Sequence, residues 1–126
     1  DRATPQKVVS GLPLVERMSW FPDGKRLLVS YSSTEGTSDE GTEEIKRWPD
    51  IIDVEKKTIK PLNLPVLRDP DLPKGKPLVV REPVVSPDGK KIAFRARRWS
   101  GNPKDTAAIC IYTCNLDGSG LKRITP

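Results

Sequence analysis

Apolar and polar residues alternate along much of this chain with a period of two. Leu27, Val29 and Tyr31 share one face of a short segment, and Ile92, Phe94 and Ala96 do the same further on. Such alternation predicts strands. The 13 prolines and 9 glycines among 126 residues break the chain too often for a long helical pattern. Eight strands are expected, in two units of four lettered A to D. The first unit runs Glu16–Phe21, Arg26–Ser32, Asp50–Val54 and Ile59–Leu64. The second runs Val80–Val85, Lys91–Arg97, Ala107–Leu116 and Leu121–Thr125. In its C strand Ala108, Cys110, Tyr112 and Cys114 share one face, while Ala107, Ile109 and Ile111 share the other. Both faces are apolar, which predicts a sheet covered on both sides.

The two units are copies of one another. Ser19-Trp20-Phe21-Pro22-Asp23-Gly24 returns as Val84-Val85-Ser86-Pro87-Asp88-Gly89, at an offset of 65 (87 − 22). Ile52-Asp53-Val54-Glu55 returns as Cys114-Asn115-Leu116-Asp117, at an offset of 62 (114 − 52). The three-residue drop falls in the loop between them, where length changes are tolerated. Pro22, Asp23 and Gly24, like Pro87, Asp88 and Gly89, supply turn chemistry. Proline presets φ, aspartate bonds its own backbone, and glycine accepts positive φ.

Ser86-Pro87-Asp88-Gly89-Lys90-Lys91-Ile92-Ala93-Phe94 resembles the SPDG-x-x-I-A-F signature of TolB-like β-propeller repeats. Ile111-Tyr112 and Asn115 to Thr125 resemble the rest of that repeat. The first copy departs from it: Phe21 replaces the motif serine, and the turn Glu55-Lys56-Lys57-Thr58 lacks glycine. The resemblance covers nearly all of residues 15–126. It implies an all-β fold of two four-stranded antiparallel blades, whose ring is incomplete within this chain. It also implies a periplasmic or secreted setting and protein partners. Residues 15–64 would form the first blade, with a long B–C loop at 34–49, and residues 80–126 the second. Residues 65–79 would be an extended link, and residues 1–14 an outer strand of a preceding or neighbouring blade plus its link. Lys7-Val8-Val9 would supply that outer strand. Propellers close with about four to eight blades, so two blades call for more, from this chain or another, or for a protein partner.

Charge changes this picture little. Twenty-two basic and 17 acidic residues give a formal +5, and the one dense basic group is Lys90, Lys91, Arg95, Arg97 and Arg98. Few aromatics stand beside it to stack bases, so nucleic acid ranks last among partners. No apolar run is long enough to span a membrane as a helix. Asp1 in place of a methionine suggests a processed or excised chain.

The absence of histidine removes the Ser-His-Asp triad, the Cys-His pair and histidine-ligated zinc. Cys110 and Cys114 stand about 13 Å apart along a strand at ~3.3 Å per residue, too far to bridge, and are expected to be buried thiols. Glu35, Asp39, Glu40, Glu43 and Glu44 crowd the B–C loop, and Asp69 and Asp71 the link. Neither group has the alternating spacing of a calcium loop. No catalytic, cofactor-binding or metal-ligating residues are nominated. Trp20, in strand A, is expected in the core. Trp48, Arg98 and Trp99 lie in or beside successive B–C loops and are the candidate partner-binding residues, set against packing under their own loops. The residues thus suggest a non-catalytic interaction or structural module. The alternative is the substrate-gating propeller portion of a larger enzyme, such as a prolyl-oligopeptidase-like peptidase.

Overall fold

The computed structural model describes residues 5–12, 14–31, 48–100, 102, 104 and 108–126. The acidic B–C loop with Glu35, Asp39, Glu40, Glu43 and Glu44 lies outside them, as does Asp1. The described strands are β1 (Val15–Trp20), β2 (Arg26–Tyr31), β3 (Asp50–Asp53), β4 (Thr58–Pro61), β5 (Arg81–Val85), β6 (Lys91–Arg98), β7 (Ala108–Asn115) and β8 (Lys122–Arg123). They form two four-stranded antiparallel sheets, β1-β2-β3-β4 and β5-β6-β7-β8.

The registers reproduce the repeat. Leu27 lies opposite Ile52 in the first sheet and Ile92 opposite Cys114 in the second, which are the offsets of 65 and 62 read from the chain. The A–B turns also match. The N–H of Gly24 donates to Phe21 O at 3.0 Å, and that of Gly89 to Ser86 O at 2.9 Å. Asp23 Oδ1 accepts from Lys25 N at 2.8 Å, and Asp88 Oδ1 from Lys90 N at 3.0 Å. Both carboxyls are thereby held below the usual range. The Lys25 amide is the leading cause at Asp23, and the Ser86 hydroxyl, ahead of the Lys90 amide, at Asp88. Where the motif serine is replaced, Phe21 is buried, and the Arg26 guanidinium lies 4.3 Å over its ring while bonding Asp23. Gly89, at φ +74°, packs on the Pro22 ring, so the two turns touch.

Packing against the first sheet buries one face of the second. Ile92, Phe94, Ala96, Cys110, Tyr112 and Cys114 meet Phe21 and Leu28 of the first blade. Leu62 and Leu64 at the end of the first blade, and Leu67 and Leu78 of the link, join the same core. Phe94 and Tyr112 stack with centroids 5.7 Å apart. A smaller core of Val29, Tyr31 and Ile52 occupies the far face of the first sheet, under Val8, Val9 and Leu12.

Three expectations need correction. Trp20 is not core: it is 55% exposed. Its place opposite Leu27 puts it on the far face, where no sheet covers it. The other face of β7 is open rather than covered, with Ile109 and Ile111 47% and 40% exposed. Strand D is short in both blades. Leu62 N still donates to Pro49 O at 2.9 Å, but Pro49 has no N–H to return a bond, and Leu62 and Leu64 turn into the core. Beyond β8 the Thr125 hydroxyl accepts from Ile111 N at 2.9 Å, where a backbone partner would stand. Val8 and Val9 lie half-buried against the sheet face.

Candidate functional site

Chain direction places the B–C connections and the link at one end of the sheets and the A–B and C–D turns at the other. The three candidate partner-binding residues are all at the first end, but different neighbours hold them. Trp48 packs half-buried against the main core. Trp99 carries the Lys76 ammonium 4.9 Å over its ring, and its carbonyl accepts from Lys76 N at 3.1 Å. Arg98 lies 3.4 Å from the Asp69 carboxylate. No contact joins Trp48 to Trp99 among the described residues.

Asp69 anchors a network that the sequence reading missed. Its side chain is 2% exposed. Its carboxylate accepts from the Tyr112 hydroxyl at 2.6 Å, from Arg123 Nη1 at 2.9 and 3.1 Å, and from Asp71 N at 2.8 Å. Burial pushes this carboxyl up, but the Tyr112, Asp71 and Arg123 hydrogen bonds outweigh it and the net displacement is downward. The same contact, after burial, drives the Tyr112 hydroxyl well above its ordinary range. Arg123 also reaches Asp71 at 2.6 Å. Asp-Pro-Asp in the link is therefore a clasp holding the link on β7 and β8. A signal for it did exist: Tyr112 sits on an otherwise apolar face, and its hydroxyl needed an acceptor.

Cys110 and Cys114 are free and buried, as expected. The Cys114 thiol is pushed up to about 11, first by burial and then by the Asp117 charge, so it is a poor nucleophile at neutral pH.

Five exposed large apolar side chains lie on the two outer sheet faces, while others such as Leu14 and Val66 lie off the strands. Met18 (61%), Trp20 and Ile59 (41%) lie beyond the first sheet, and Ile109 and Ile111 beyond the second. A shallow cleft of about 250 Å³ opens beside Ile111, walled by Arg17, Glu82, Val84, Ala93 and Arg95. Between the sheets, Arg81 lies 3.6 Å from Glu16, and Arg17 3.7 Å from Glu82. Val85 N donates to Ser19 Oγ at 3.0 Å and Glu82 N to Glu16 Oε1 at 3.3 Å. No group of carboxylate and thiol side chains suited to a metal ion occurs among the described residues.

No protein-family model matches the chain, and no curated protein matches it. Among solved structures it is similar to the crystal structure of TolB from Acinetobacter baumannii, with 23% identity and a TM-score of 0.52. The alignment covers 97% of this chain and 24% of that one. The fold is TolB-like. At this identity the likeness speaks for fold alone: two antiparallel blades of a β-propeller. The chain spans about a quarter of that TolB, and among the described residues no helix is long and apolar enough to cross a membrane.

Proposed function

We propose that this chain is a non-catalytic protein-interaction or structural module that works through the outer faces of its two blades. The supporting observation is the placement of Met18, Trp20 and Ile59 on one outer face and Ile109 and Ile111 on the other. Apolar side chains grouped on a rigid sheet are a feature of surfaces that bind protein. The loop-end residues Trp48, Arg98 and Trp99 are engaged within the chain, so the faces rank above them as the contact. We place the module in the periplasm or outside the cell, in keeping with the TolB-like fold; buried thiols tolerate an oxidising compartment.

A photo-reactive phenylalanine at position 20 or 111 tests the binding. Each is expected to give a discrete cross-linked protein product that the same residue at the exposed turn position Lys56 does not. Failure at both faces, or turnover of a peptide or glycan by the purified chain, defeats the reading.

A further inference from the structure

The blade-to-blade contact inside this chain carries its charges in an order that the repeat inverts. Glu16 and Arg17 of the first blade correspond to Arg81 and Glu82 of the second, at the offset of 65 (81 − 16). Within the chain Glu16 pairs with Arg81 and Arg17 with Glu82. If the outer face of the second sheet takes the role that the first sheet plays inside the chain, Arg81 and Glu82 replace Glu16 and Arg17. The surface opposite them that restores both ion pairs must present an acid and then a base, and β1 of another copy presents Glu16 and then Arg17.

The apolar positions agree. The counterparts of Met18 and Trp20 are Pro83 and Val85; Pro83 is fully buried, and Val85 packs against the core between the sheets. Leu121, the counterpart of Ile59, also packs there. Met18, Trp20 and Ile59 therefore occupy positions that a stacked sheet covers in the second blade and that stand open in the first. The N-terminal residues Val8, Val9 and Leu12 are no obstacle, because they lie over Val29, Tyr31 and Ile52 as the link leucines lie over the second sheet. In the opposite partner, Val85 meets Ser19 inside the chain. Translated by the repeat, Trp20 of the incoming copy meets Val84, which lines the open cleft beside Ile111.

We propose that copies of this chain stack head to tail. The open face of the second sheet in one copy receives the open face of the first sheet in the next, in the geometry that joins the two blades within the chain. Glu16, Arg81, Glu16 and Arg81 then alternate from blade to blade, and Arg17 and Glu82 do likewise. Because the two faces differ, the contact is heterologous, and closure requires a ring. The inference rests on the interaction reading only in its use of the outer faces.

Sedimentation of the purified chain, 14.0 kDa, tests it. Discrete assemblies of about two to four copies are expected, since propellers close with about four to eight blades. Trp20→Lys and Ile111→Glu each remove one face and leave the in-chain contact intact, so each alone is expected to sediment as a monomer. Mixed in equal amounts they regain one complementary pair of faces and form a 1:1 complex. Arg17→Glu is expected to lower assembly at least tenfold, because it faces Glu82 with a like charge in both contacts. A wild-type chain that stays monomeric at its highest soluble concentration overturns the proposal. So does a mixture of folded variants that forms no complex. Monomeric protein that still cross-links another polypeptide through position 20 or 111 would sink the stacking and leave the interaction reading standing.

Discussion

The first and second blades are built on one repeat, yet they are not equally finished. In the second, six side chains of one face are sealed between the first sheet and the link, and the Asp69 clasp locks that cover down. In the first, the corresponding face keeps a core of three residues under a short N-terminal segment, with Met18 and Trp20 outside it. Among the described residues β6 and β7 have eight residues each, where β2 and β3 have six and four. Equal turn chemistry thus yields unequal blades, because a sheet face is completed by whatever packs on it.

The comparison is broken most strongly at Phe94. Phe94→Ala is expected to cost about 3–5 kcal/mol in urea unfolding, whereas Val29→Ala, at the matching position, costs about 2 kcal/mol. Gly118 comes next: at φ +87° an added Cβ would sit 2.5 Å from Cδ of Pro65. Gly118→Ala should lose roughly 2 kcal/mol from strained backbone and displaced link, measured the same way. Removing the clasp hydroxyl by Tyr112→Phe should cost about 1–2 kcal/mol.

The Asp69 clasp also predicts a pH dependence. Its folded pKa is depressed, so its contribution is complete above the unfolded carboxyl value of about 3.9 and is lost as pH falls through the folded value. Asp69→Asn should flatten the acid limb of the stability curve. On the alkaline side the Cys114 thiol, raised from 9.0 to about 11, gives the opposite sign. Its contribution is complete below pH 9.0 and declines towards 11, and Cys114→Ala should remove that slope. The smallest effect lies in the first blade, where Lys57 holds φ +56° in a turn without glycine. Lys57→Gly is expected to add about 0.5–1 kcal/mol, sharpening the likeness between the two turns.

Local chemistry was legible in the chain; covering surfaces were not. Pro-Asp-Gly fixes a turn through atoms two or three residues apart, so both A–B hairpins could be read directly. Period two assigned Trp20 to a face but carried no information about what lies over that face. The same gap hid the openness of Ile109 and Ile111. Asp69 was weighed as a metal ligand and turned out to accept from groups 43 and 54 residues away, a separation no local pattern records. Trp48 and Trp99 fall in loop-end connections and Arg98 ends β6, but the neighbours of Arg98 and Trp99, Asp69 and Lys76, belong to the link and were invisible from sequence.

Finally, the outermost strands bear on how this protein avoids growing sideways. β4 ends in Lys60-Pro61, and β8 is only Lys122-Arg123. A proline offers no amide to an arriving strand, and a two-residue strand whose Arg123 is tied to Asp69 and Asp71 offers little ladder. Lateral sheet extension, the route to fibrous aggregates, is thereby discouraged on the outer flank of both blades.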